Sequence, residues 1–171
     1  SVDGVKLLDV DPGAATNSTV VTFVGTPEAV MEAAYKAIVK AGEIIDMSKH
    51  KGEHARMGAT DVCPLIPVAN ISMEETSQWA VKLAKRVGET THIPTYLYGA
   101  SQPNTKRNVL SIIRTGEYEG FFEKIKRPEW KPDFWPATYS ARSGATVIGA
   151  RDFLIAYNIN LNTTSTRIAN R

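Results

Sequence analysis

Thr19-Val20-Val21-Thr22-Phe23-Val24-Gly25-Thr26-Pro27-Glu28 is the stretch from which the fold is read. Its first six residues are β-branched or aromatic and predict a strand, which Gly25 ends. Thr26 then suits a helix N-cap, with Pro27 at the first helical position and Glu28 in the first turn. Apolar residues follow at Val30, Ala33, Ala34, Ala37, Ile38, Ala41, Ile44 and Ile45. That spacing is the stripe of a helix with one buried face. A strand leading into a one-faced helix belongs to a layered architecture of sheet and helices.

Working outward, residues 5–10 (VKLLDV) predict a strand before it, closed by the turn signal Pro12-Gly13. Residues 46–60 have no strong period and read as a loop. Residues 62–68 form a short apolar strand interrupted by Pro64 and Pro67, which places it at an edge or on a bulge. Ser72 and Glu75 make a capping box for a helix that turns Thr76, Ala80, Leu83, Ala84 and Val87 inward. Residues 95–98 (TYLY) predict a strand and residues 105–113 a short helix. Residues 116–143 are rich in aromatics and proline without a clear period. A loop so long inside a compact domain points to function. Residues 145–148 and 153–161 predict the last strands. This order implies an α+β fold of α/β sandwich type, with one mixed sheet and helices on one face. The other sheet face then needs a cover from another domain or another subunit.

Composition narrows the classes. The chain has 171 residues, 43% hydrophobic and 22% charged, enough for one domain with a sizeable core. A net charge of +2 does not by itself argue for a nucleic-acid surface, and no basic aromatic strand motif is seen, so no nucleic-acid partner is expected. No apolar run reaches the roughly 18–20 residues of a membrane span, so no membrane partner is expected. The single cysteine, Cys63, excludes an intrachain disulfide and favours a reducing, cytoplasmic setting. It lies in an apolar strand and reads as core. No metal-ligand spacing and no phosphate-cradling glycine loop is visible, so no metal is expected.

Reactive side chains are densest at Lys49, His50, Lys51, Glu53, His54, Arg56 and Asp61, in the loop between helix and strand. An imidazole titrating at ~6.5 can act as general acid and base near neutral pH. Arg56 suits a two-pronged grip on a carboxylate. A solvated basic loop satisfies the same pattern. His50 and His92 read as structural, His92 at a helix end.

The stretch GEHARMGATDVCP at 52–64 closely resembles the signature of the formiminotransferase domain. Further segments resemble that family in order: LLDVD at 7–11, TFVG at 22–25, IIDMSKH at 44–50, PTYLYG at 94–99, RTGEYEGF at 114–121, WKPDF at 130–134, GATVIGAR at 144–151 and FLIAYNINL at 153–161. The resemblance implies a ferredoxin-like fold, with residues 1–171 as the N-terminal subdomain. The family's opening strand and helix and its C-terminal subdomain have no counterpart in these residues. It implies a glutamate formiminotransferase, which transfers the formimino group of N-formimino-L-glutamate to N5 of tetrahydrofolate and releases glutamate, in histidine breakdown. Tetrahydrofolate is then the co-substrate.

On this resemblance the catalytic position falls on His54. The folate-binding segment falls on Trp135, Pro136, Ala137, Thr138, Tyr139, Ser140, Ala141, Arg142, Ser143 and Gly144. That segment departs from the family pattern: Trp135 stands where glycine is usual, and Ala141-Arg142-Ser143 replaces a Pro-Ser-Trp-like run. Ala55 also stands where proline is usual. One imidazole can take a proton from N5 and return it to the departing glutamate nitrogen, a role typically worth ~10²–10⁴-fold. Asp11 and Asp61 are both candidates to orient His54, and Arg56 and Arg142 are candidates to hold glutamate carboxylates. The alternative is a non-catalytic folate-binding or interaction module of the same fold. The intact Gly-Glu-His-x-Arg loop argues against that alternative, and the altered 135–144 stretch argues for it.

Overall fold

The computed structural model describes residues 2–135, 140–155, 161–163 and 165–169. Strand β1 (Val5–Gly13) and strand β2 (Ser18–Gly25) form an antiparallel hairpin, with a bulge between Leu7 and Asp9. Helix α1 (Pro27–Ile44) begins at Thr26, whose backbone is extended but whose hydroxyl makes no capping bond. Strand β3 (Val62–Leu65) follows the loop, then helix α2 (Met73–Thr91) and strand β4 (Thr95–Gly99). The short helices α3 (Leu110–Ile113) and α4 (Glu117–Lys124) come next, with a 3-10 turn at Pro128–Trp130. Strand β5 (Thr146–Ala150) and a terminal turn of helix, α5 (Thr166–Ala169), complete the order.

The α+β class is as expected, but the strands divide between two sheets. The hairpin is one; the other is parallel, in the order β3-β5-β4. The last of its strands therefore lies at the centre, and all five of its residues are buried. Pro64 sits in β3, an edge strand, where a missing N–H is tolerated. The capping box forms as read: Glu75 N donates to Ser72 Oγ at 3.2 Å, and Ser72 N donates to Glu75 Oε2 at 2.9 Å.

Helices cover both faces of the parallel sheet, not one. Residues 65, 97 and 148 alternate with 96, 98 and 147, so each strand feeds two cores. On one face Leu65, Leu97 and Ile148 pack with Ala34 and Ile38 of α1 and with Ala80, Leu83, Ala84 and Val87 of α2. On the other face Tyr96, Tyr98 and Val147 pack with Ile113, Phe121 and Ile125. The stretch read as a long irregular loop supplies this second cover through α4. Lys124 fastens it: its Nζ donates to the carbonyls of Ile112 (3.2 Å), Ile113 (2.5 Å) and Thr115 (3.0 Å), closing α3, and lies 3.8 Å from the Trp130 ring centroid. Bare apolar surface is found instead on the hairpin, where Leu7, Leu8, Val10, Val20 and Val21 are exposed.

The strand expected at 153–161 is not seen in residues 153–155, which have no regular structure. Residues 156–160 lie outside the described residues. Among the described residues no helix is long and apolar enough to cross a membrane.

Candidate active site

His54 is exposed at the tip of the loop that joins α1 to β3, and it makes no hydrogen bond among the described residues. The loop around it is braced on three sides. Toward the hairpin turn, Glu53 N donates to Ala15 O (3.1 Å), Asn17 Nδ2 donates to Lys51 O (2.8 Å), and His50 Nε2 meets Asn17 O at 2.6 Å. Gly52 passes so close that a Cβ there would lie 2.1 Å from Thr16 O. Toward β5, Gly58 bridges Gly144, Ala145 N donates to Met57 O (3.0 Å), and Ala59 N donates to Ser143 O (2.9 Å).

The third brace is Arg56, a buried side chain. Its Nη1 donates to Glu117 Oε2 (2.9 Å) and Glu119 Oε2 (2.8 Å), and its Nη2 to Glu119 Oε1 (2.7 Å) and His50 O (3.1 Å). Its Nε points at His50 Nδ1 at 3.4 Å, which makes Nδ1 the acceptor and leaves His50 Nε2 to donate to Asn17 O. The hydrogen bond from Arg56 holds the Glu119 carboxyl well below its ordinary range, at about 2. Arg56 is thus committed to protein partners and has no fork left for a substrate carboxylate. Its partners lie 61 and 63 residues away in RTGEYEGF, and no local signal joins them.

Asp61 closes the loop from the strand side. Its Oδ1 accepts from Met57 N (2.8 Å) and its Oδ2 pairs with Arg114 Nη2. Asp11 is exposed on β1. Neither aspartate is bonded to His54 among the described residues. Arg142 donates from Nη2 to Glu43 O (2.9 Å), satisfying a carbonyl in the last turn of α1. Cys63 is half-buried in β3, and its packed surroundings push the thiol up to about 12, against a role as nucleophile.

The segment 135–144 reaches this site at its C-terminal end. Ser140 O accepts from Ser143 N (3.2 Å) and Gly144 N (2.9 Å), forming a turn, and Tyr118 Oη of α4 donates to Ala141 O (2.5 Å). Gly144 has φ +65°, and a Cβ there would lie 2.1 Å from Met57 O, so the bridge to Gly58 requires glycine. At the other end Trp135 adopts φ 80°, a left-handed conformation that suits glycine, and its ring meets His92 edge-on at 4.4 Å. Pro136, Ala137, Thr138 and Tyr139 lie outside the described residues.

Two open depressions flank the loop and turn. One, of about 480 Å³, is lined by Ala55, Leu110, Ser111, Arg114, Thr115, Gly116 and Glu117. The other, of about 250 Å³, lies between α1 and the end of α2 and includes Ser143.

Fold and site together define an α+β domain that presents an exposed imidazole on a braced loop beside an open depression. A family model described as the formiminotransferase domain, N-terminal subdomain, matches residues 1–151, and the chain belongs to that family. It is 58% identical over 92% of its length to a formimidoyltransferase-cyclodeaminase of Gallus gallus, covering 29% of that protein. It is 46% identical over its whole length to a glutamate formimidoyltransferase of Thermoplasma acidophilum and 40% identical to one of Streptococcus pyogenes serotype M1, covering 57% of each. The chain thus spans little more than half of the glutamate formimidoyltransferases and under a third of the fused protein.

Proposed function

We propose that the full-length protein carrying this chain transfers the formimino group of N-formimino-L-glutamate to N5 of tetrahydrofolate, with His54 as the proton shuttle. The observation that supports this most is the union of two segments far apart in sequence. The loop holding His54 and the turn at Ser140–Gly144 share a backbone bridge, Gly58 to Gly144. The relatives' names, glutamate formimidoyltransferase and formimidoyltransferase-cyclodeaminase, supply the reaction type.

Tetrahydrofolate, when bound, supplies N5 as the nucleophile. His54 then holds the proton that N5 loses and returns it to the leaving glutamate nitrogen. The exposed ring meets both requirements: it is free of protein partners among the described residues, and its flanks are fixed. Fixed flanks matter because acid–base transfer contributes only ~10²–10⁴-fold, while positioning two substrates can supply roughly 7–11 kcal/mol. The folate-binding role is assigned to residues 135–144, and a cytoplasmic setting suits a chain with one free thiol. A second subdomain or a second copy is the partner proposed for the exposed apolar hairpin.

The test is turnover of formiminoglutamate by the full-length protein with tetrahydrofolate as acceptor. Release of glutamate together with formation of 5-formiminotetrahydrofolate is expected. Folate binding without transfer would favour a non-catalytic binding module.

A further inference from the structure

Two arginines were natural candidates for holding a glutamyl carboxylate: Arg56 has its donors committed to protein partners, and Arg142 lines neither depression. Arg56 is buried and bonded to Glu117, Glu119 and His50 O. Arg142 reaches the end of α1 at Glu43 O. A third arginine is differently placed.

We propose that Arg114 holds a carboxylate of the glutamyl group in the depression beside His54, an assignment that rests on formimino transfer as the activity. Arg114 follows α3 and lines the depression together with Ala55, the residue next to His54. Among the described residues its one acceptor is Asp61 Oδ2, bonded to Nη2. A guanidinium carries five N–H donors, so most of its capacity is unused. Nε is buried without an acceptor, an arrangement native structures generally avoid. The side chain as a whole is 24% exposed.

The rest of the lining favours the same ligand. Glu117 is the one carboxylate in its lining, and it pairs with Arg56 at 2.9 Å, a cation it shares with Glu119. Leu110 offers apolar surface for methylenes, and Ser111 and Thr115 offer hydroxyls. A planar guanidinium recognises carboxylates through two parallel hydrogen bonds, an orientation a lysine cannot enforce.

Glutamyl carboxylates come from two sources here, formiminoglutamate itself and the glutamyl tail of tetrahydrofolate. Steady-state kinetics on the full-length protein separate them. Arg114→Gln is expected to raise the KM for formiminoglutamate about tenfold or more, the scale of a lost hydrogen bond to a charged group, with a smaller change in kcat and none in the KM for tetrahydrofolate. Arg114→Lys should recover only part of the loss. If the tail is the ligand, the KM for tetrahydrofolate rises instead, and the effect disappears with tetrahydropteroate, which has no glutamyl tail. Either result supports Arg114 as a carboxylate holder.

Asp61→Asn separates binding from a merely structural role. It keeps an acceptor for Met57 N and removes the anion paired with Arg114, so a carboxylate-holding Arg114 should bind formiminoglutamate no more weakly and that KM should not rise. If Asp61→Asn and Arg114→Gln raise it alike, or if neither KM rises in Arg114→Gln, the assignment is overturned. Calorimetric binding of L-glutamate keeps this test independent of turnover. A wild-type protein that binds L-glutamate through Arg114 but transfers nothing would contradict the proposed activity and leave the carboxylate site standing. Absence of L-glutamate binding together with absence of transfer would overturn both.

Discussion

Arg56 and Glu119 form a two-pronged ion pair, Nη1 to Oε2 at 2.8 Å and Nη2 to Oε1 at 2.7 Å, that joins the His54 loop to α4. Planar, paired hydrogen bonds of this kind fix orientation as well as distance. Arg56→Met is therefore expected to cost about 1–3 kcal/mol, since His50 O and the two glutamates lose their donor. Arg56→Lys keeps the charge but not the fork and should fall between Met and wild type. Urea unfolding measures this; equal midpoints for Arg56→Met and wild type would remove the clamp from the account.

The same pair sets a pH dependence. The Arg56 hydrogen bond lowers the Glu119 carboxyl to about 2, against an ordinary value of ~4.3. A depressed carboxyl contributes stability that is fully present above the unfolded value and lost as pH falls through the folded one. The stability gap between wild type and Arg56→Met should hold steady above pH ~5 and shrink between pH ~4.3 and about 2. Thermal unfolding across that range checks it, and a gap that stays constant down to pH ~2.5 would contradict it.

Gly144→Ala tests the join between the two segments of the site. A left-handed conformation costs an L-residue ~1–2 kcal/mol, and the new Cβ would also collide with Met57 O at 2.1 Å. The expected result is a lower Tm together with reduced kcat, because the backbone next to His54 must shift. An unaltered Tm would show that the bridge to Gly58 is dispensable.

Lys124→Met tests the cover of the second sheet face. Three carbonyls lose their donor, and a buried acceptor left unsatisfied costs about 1–3 kcal/mol. Faster hydrogen exchange in α3 and α4, with α2 unaffected, is the expected signature. Uniform exchange across all helices would mean that Lys124 does not fasten this layer locally.

Local signals carried the reading of much of this fold. The stripe and capping box of α2, the strand-to-helix junction at Gly25–Thr26 and the edge position of β3 each depend on residues within a turn or two. What could not be read depends on distant partners. β5 lies between β3 and β4 because of pairings that span about 85 and 50 residues, Val62 with Val147 and Thr95 with Thr146. α4 buries Tyr118, Phe121 and, just past its end, Ile125, but Gly120 interrupts so short a helix that its period is faint. The site divides in the same way. The reactive loop stood out by composition, while the role of Arg56 depended on Glu117 and Glu119, and Arg114 was read only as the first residue of RTGEYEGF, with no role assigned.

The central claim is that His54 moves the protons, and His54→Asn in the full-length protein tests it most directly. Asparagine is close in size and polar but cannot exchange a proton near neutral pH. The account predicts a fall in kcat of ~10²-fold or more with folate affinity little changed. A His54→Asn protein keeping about a third or more of wild-type kcat would contradict it, because lost acid–base transfer is worth far more than ~3-fold.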